Sequence, residues 1–224
     1  MSIYSTFRSA VRHELRSRRY RGMHRRLSEF TMTTADAYVD NMMLVEHVKD
    51  VPGCVVECGV WRGGMTAGMA MVLGSHRDYF LFDSFEGLPP AKEIDGEAAL
   101  KWQSDKNSPQ YYDNCRAEED YARRAMELSG ASSFKLIKGW FNETLPGFKP
   151  PGPIALLRID ADWYESTMTC FEALYDSVVV GGMILLDDYH TWDGCSRAVH
   201  EFLSRRSAVE RIRNQGEVGY LRKR

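Results

Sequence analysis

Cysteine is scarce and unpatterned in this chain. Cys54, Cys58, Cys115, Cys170 and Cys195 are the only five in 224 residues, and no two form a CxxC pair. Free thiols are the simplest reading of such a set. Three of the five fall in segments read as strand or helix interior, so free thiols in a reducing cytoplasm are expected. Long apolar runs are also missing. None reaches the roughly 18 residues that a membrane-spanning helix needs, and the N-terminus lacks the apolar core of a secretory signal. Net charge is almost absent: 29 Lys+Arg oppose 31 Asp+Glu, leaving −2. That balance argues against a general nucleic-acid binder. No GxGxxG dinucleotide fingerprint occurs, and neither does an internal repeat or a low-complexity tract.

What charge there is lies unevenly. Between Arg8 and Arg26 stand eight arginines and two histidines against one acid, Glu14. Tyr4, Phe7, Val11 and Leu15 recur at helical spacing, so part of this basic arm, residues 1–30, reads as an amphipathic helix. Two readings stand. The arm packs on its own domain or a second subunit, or it meets a membrane, a nucleic acid or an acidic partner; the first is the expectation.

Residues 31–224 read as one α/β domain with a real core. Thr31 to Thr34 offer N-cap chemistry for a helix to roughly Lys49. Strands are expected at Cys54–Cys58, Tyr79–Phe82, Phe134–Lys138, Ile154–Ile159 and Met183–Leu186. Helices are expected at Met65–Leu73, around Ala117–Leu128, and from Gly194 to about Arg205 with Asp193 as cap. Glu210–Asn214 and Val218–Arg222 flank Gln215-Gly216 as a terminal hairpin. Alternating strands and helices imply a doubly wound sheet. Residues 87–116 are polar, carry Pro89-Pro90 and Pro109, and are too long for a simple connection. They read either as a lid or as a loop pinned to the core by Trp102, Tyr111 and Tyr112.

Two of these strands end in carboxylates. The fourth stops at Asp160, with Asp162 just beyond, and the fifth stops at Asp187-Asp188. A strand–helix–strand unit puts both ends on one edge of a parallel sheet, where open α/β sheets bind ligands. Like charges so close require retained protons or a cation among them. A second feature is the glycine turn Glu57-Cys58-Gly59-Val60-Trp61-Arg62-Gly63-Gly64, between first strand and first helix. Its backbone admits a close ligand, and the helix N-terminus favours negative charge. Asp83 ends the second strand and suits two ribose hydroxyls, or else caps the turn at Ser84.

Five ordered segments together resemble one family: VVECGVWRGGM (55–65), LFDSFEGLP (81–89), KGWFNETLP (138–146), LLRIDADWYEST (156–167) and LLDDYHTWDGCSRAVHEF (185–202). They are similar to the macrocin O-methyltransferases, which methylate sugar hydroxyls on glycosylated natural products. The resemblance covers roughly residues 31–222. It implies a Rossmann-like class I methyltransferase fold, a doubly wound seven-stranded sheet closed by a C-terminal antiparallel hairpin. It further implies S-adenosylmethionine and Mg²⁺ as cofactors and a small-molecule hydroxyl acceptor, glycosylated by expectation, with no nucleic acid and no membrane. By position, Asp160, Asp187 and Asp188 match the metal ligands and Asp162 the general base. Glu57, Gly59, Trp61, Arg62, Gly63, Thr66, Asp83, Ser84, Gly139, Trp140 and Asp160 match the cofactor-binding segments. His190 stands where a smaller residue is expected and competes with Asp162 for the base role. A homo-oligomer, dimer or higher, is compatible with the arm. A catechol-type or other vicinal-diol O-methyltransferase and a non-catalytic cofactor-binding partner subunit are the competing readings.

Overall fold

The computed structural model describes residues 3–224, with side chains from Val11 onward. Its seven-stranded sheet runs in the order β3-β2-β1-β4-β5-β7-β6. The strands are β1 Cys54–Cys58, β2 Asp78–Asp83, β3 Ser133–Lys138, β4 Ile154–Ile159, β5 Val178–Leu186, β6 Arg213–Gln215 and β7 Val218–Arg222. β1 to β5 pair in parallel; β7 runs antiparallel to both β5 and β6. The expected doubly wound sheet with its closing hairpin is therefore present, although β6 is shorter than the 210–214 run predicted.

β1 and β4 are buried at every position. Continuous apolar runs of this kind belong to parallel strands covered on both faces. The pleat sends alternate residues to opposite layers. Val55, Leu81, Leu156 and Leu185 face one layer, which contains side chains of α1 Ile3–Arg26, α2 Ala35–Val45, α3 Gly64–Leu73 and α5 Glu119–Ser129. Val56, Phe82, Leu157 and Ile184 face the other, covered by α7 Tyr164–Leu174 and α8 Asp193–Arg205. Two polar residues, Glu57 and Arg158, continue the first face. They are register partners across β1 and β4, so both are committed to the interior by the same alternation that buries their apolar neighbours.

The basic arm is a 24-residue helix, α1, longer than the segment its apolar spacing marked. Tyr4 and Phe7 lie outside the residues whose side chains are described. Tyr20, Met23 and Leu27 are buried. Arg16 pairs with Glu46 at 2.6 Å and Arg21 pairs with Asp36, so part of the arm's charge is answered within the chain. Thr34 caps α2 as the sequence predicts, accepting from the Ala37 N–H at 3.2 Å. Asp193 does not cap α8. It is the first residue of the helix and Trp192 holds the cap position.

Residues 87–116 are more ordered than a plain loop. They contain α4 Glu97–Ser104. Trp163 Nε1 donates to the Pro89 carbonyl (2.9 Å), the Tyr164 N–H to Asp95 Oδ1 (2.7 Å), and Gln103 Nε2 to Asn114 Oδ1 (3.0 Å). Trp102 packs on Trp163 and Trp192. These contacts favour the pinned-loop reading. The segment ends in Tyr112, Asp113, Asn114 and Cys115, four consecutive non-glycine residues with φ between 34° and 59°.

Candidate active site

The carboxyl ends of the strands rise in steps. Cys58, Ile159 and Leu186 are register partners across β1, β4 and β5. The Asp160 N–H then donates to the Cys58 carbonyl at 2.9 Å, and the Asp187 N–H to the Ile159 carbonyl at 3.1 Å. Asp160 and Asp187 are fixed in this way by backbone pairing before their side chains do anything. Gly59 makes the close approach possible. It has φ +86°, and a Cβ there would lie 1.7 Å from the Asp160 carbonyl oxygen. Only glycine combines that φ with that contact.

Asp160, Asp187 and Asp188 each offer an oxygen, and the three lie within 4.8 Å of one another. The sequence-predicted ligands are thus brought together. Hard oxygen donors at this spacing, in an open cavity of about 360 Å³, suit a divalent cation such as Mg²⁺. Cys115 lines the same cavity, where burial and the facing carboxylates of Asp162, Asp160 and Asp188 push its thiol up. Burial and the neighbouring carboxylates also raise Asp160 and Asp188 well above the usual aspartate range. Clustered like charges disfavour one another's ionised form.

One cation is already built in. Arg158, 1% exposed, donates Nη1 to Glu57 Oε1 at 2.5 Å and to Asp160 Oδ2 at 2.8 Å, and its Nη2 lies against Asp187 Oδ1. Nε reaches Asn41 Oδ1 at 3.4 Å. Glu57 also accepts from the Thr66 hydroxyl. Its carboxyl is raised by burial, with Arg158 and Thr66 opposing the shift.

Asp162 sits above this cluster with φ 55°, a left-handed conformation that aspartate tolerates better than most residues. Its N–H donates to Asp188 Oδ2 at 3.0 Å, and its Oδ1 accepts from Trp192 Nε1 at 2.9 Å. Burial pushes its carboxyl up to about 7, against the Trp192 hydrogen bond. A carboxylate tuned to neutrality is suited to proton transfer. His190, the other candidate, is exposed. Its Nε2 pairs with Asn214 Oδ1 at 3.0 Å, and it lines neither the acidic cavity nor the one beside it. The structure does not bring it to the cluster.

The neighbouring cavity, about 570 Å³, is lined by Asp83, Ser84, Gly139 and Trp140 together with Gly59 and Asp160. Asp83 is engaged by its own turn: Oδ2 accepts from the Val60 and Trp61 N–H groups (2.9 and 2.8 Å) and Oδ1 from the Phe85 N–H (2.7 Å). Glu57 and Trp61 line the acidic cavity instead. Arg62, Gly63 and Thr66 line neither. Arg62 stacks between Trp61 and Tyr121, Gly63 holds the cap position before α3, and Thr66 is buried against Glu57. Their contacts are those of a scaffold under the turn.

Several residues of the site escape sequence reasoning. Arg158 hides in an apolar strand, Trp192 reaches back across 30 residues to Asp162, and Phe30 to Thr34 and Cys115 close the acidic cavity from outside the strand tips. Glu57 and Arg158 alone left a signal: opposite charges in two strands that otherwise read as interior.

A sequence profile of the Macrocin-O-methyltransferase family matches residues 4–223, arm included. A tetracenomycin-pathway enzyme of Streptomyces olivaceus, 8-demethyl-8-(2,3-dimethoxy-alpha-L-rhamnosyl)-tetracenomycin-C 4'-O-methyltransferase, is 35% identical over 69% of this chain and 59% of its own length. Demethyldecarbamoylnovobiocin O-methyltransferase of Streptomyces niveus is 34% identical over 88% of the chain and 74% of its own length. The solved structure of the O-methyltransferase NovP superposes with a TM-score of 0.72 at 28% identity, covering 87% of this chain and 82% of that one. The sheet order is thus the Rossmann-like class I methyltransferase fold. With the profile spanning nearly every residue, the chain belongs to the macrocin-O-methyltransferase family.

Proposed function

We propose that this chain transfers a methyl group from S-adenosylmethionine to a hydroxyl of a sugar-bearing natural product, with Mg²⁺ held by Asp160, Asp187 and Asp188. One observation carries the reading. The acidic cavity and the larger cavity beside Asp83 meet at Gly59 and Asp160, so a donor whose nucleoside fills the larger cavity and whose amino-acid end reaches past Gly59 toward Glu57 lies next to an alcohol at the strand-tip aspartates. The names of the tetracenomycin and novobiocin relatives, enzymes of glycosylated metabolites, support the acceptor class.

In this reading Trp140, Gly139, Asp83 and Ser84 border the nucleoside half of the donor. Gly59, Trp61 and Glu57 border its amino-acid half. Bound Mg²⁺ would orient neighbouring hydroxyls and stabilise alkoxide character. Asp162, held by Trp192, takes the hydroxyl proton. The walls keep the attacking oxygen against the methyl group and keep water away from the sulfonium. Five free thiols, four of them buried, fit a reducing compartment, and the cytoplasm and a homo-oligomeric state belong to the same proposal. No helix among the described residues is long and apolar enough to cross a membrane.

The test is Asp162→Asn. Turnover should fall by about 10²–10⁴-fold, while calorimetry still detects donor binding and Mn²⁺ binding. Near-normal turnover in this variant would remove Asp162 from the base role.

A further inference from the structure

We propose that Arg158 is a positioning residue for the cation: it takes one oxygen each from Asp160 and Asp187 and leaves the second oxygen of each for the metal. The inference rests on the metal-dependent reading above. It starts from how firmly the guanidinium is held. Glu57 Oε1 lies 2.5 Å from Nη1, Asp160 Oδ2 2.8 Å from the same nitrogen, and Asp187 Oδ1 against Nη2, while Asn41 Oδ1 faces Nε from α2. Glu57 is anchored in turn by Thr66. Among these partners the fork has little freedom to rotate.

A buried arginine is a poor device for stability. Taking guanidinium and carboxylate out of water cancels most of their attraction, and apolar residues of similar volume serve a core as well or better. What the planar fork supplies is direction, because its donors hold fixed angles to several oxygens at once. Asp160 accepts from Arg158 through Oδ2 alone, and Asp187 meets it as an ion pair, Oδ1 against Nη2. A carboxylate held that way is kept from rotating and from recoiling from its neighbours, which is how groups behind metal ligands set affinity. Asp188 has no contact with Arg158 and is oriented instead by the Asp162 N–H. The two supports divide the three ligands between them. Arg158 also ties the aspartate cluster to Glu57, on the glycine-turn side of the same cavity.

An opposing possibility makes a different prediction. If Arg158 merely supplies positive charge until a metal arrives, removing it should tighten metal binding. Mn²⁺ titration followed by electron paramagnetic resonance separates the two. The measurement uses the full chain as wild type, Arg158→Lys, and Glu57→Gln/Arg158→Met. Lysine keeps the charge without the fork; the double variant removes both halves of the buried pair, and it decides the matter should the lysine variant fail to melt cooperatively. Positioning predicts Mn²⁺ affinity weakened by about 10–100-fold in each folded variant. Equal or tighter binding in a folded variant overturns the proposal. Absence of Mn²⁺ binding by the wild type overturns the metal-dependent reading itself, and the role of Arg158 with it.

Discussion

The two cavities at the strand tips share only Gly59 and Asp160, yet their linings differ in balance. The first gathers Glu57, Asp160, Asp162, Asp187 and Asp188 around Arg158. The second has a larger apolar wall, with Leu88, Pro89, Trp140, Phe141, Trp163 and Met168, although Asp83, Lys92, Asp95 and Glu165 also line it. Converging acids manage ions and protons, and do so through electrostatics that act over several ångströms. Aromatic and aliphatic walls recognise shape, through contacts that matter only at touching distance. In the proposed function one sheet edge carries two kinds of recognition, which meet at a single glycine and a single aspartate.

The largest expected effect strikes both sides of that divide. Gly59→Ala puts a methyl group onto the Asp160 carbonyl at a positive φ. It should cost about 3–5 kcal/mol in denaturant unfolding, and any folded fraction should lose donor and metal binding together. The next pair pulls the two cavities apart. Asp187→Asn should weaken Mn²⁺ by more than about 100-fold and leave affinity for S-adenosylhomocysteine nearly unchanged. Trp140→Ala should do the reverse, weakening S-adenosylhomocysteine about three- to tenfold through lost aromatic contact. Equal losses in both assays from either variant would mean that the cavities form a single site. The smallest effect belongs to His190→Ala. An exposed imidazole paired with Asn214 should change turnover by no more than about twofold, as surface substitutions do. Loss of turnover there would return the base role to the histidine.

The strand tips were legible because burial and chemistry change at a single residue. CVVEC and IALLRI are apolar enough to be interior, and the aspartates begin where those runs stop. Arg158 was harder to see. Its meaning depends on β1 lying beside β4 in a register that sets Glu57 opposite it, a fact of sheet order rather than of either strand. Trp192 was invisible for a similar reason: its partner Asp162 is 30 residues away and the contact belongs to loops. α4 is masked in the sequence: Pro89-Pro90 and Pro109 mark chain breaks on either side, while the intervening EAALKWQS contains good helix formers. Both uses of Asp83 were foreseen. The structure contains the turn-capping one, with three backbone donors already satisfied.

The left-handed run from Tyr112 to Cys115 has a consequence for how this edge opens. Each such residue stores about 1–2 kcal/mol relative to ordinary backbone, somewhat less for Asp113 and Asn114. The run is clasped by the Leu88 N–H on the Asn114 carbonyl (3.0 Å), by Asn114 Nδ2 on the Leu88 carbonyl (2.8 Å) and by Tyr112 against Trp61. Releasing that clasp gives the stored energy back, like undoing a wound spring. Departure of Cys115 from the rim of the acidic chamber is therefore easier than the surface it uncovers would indicate.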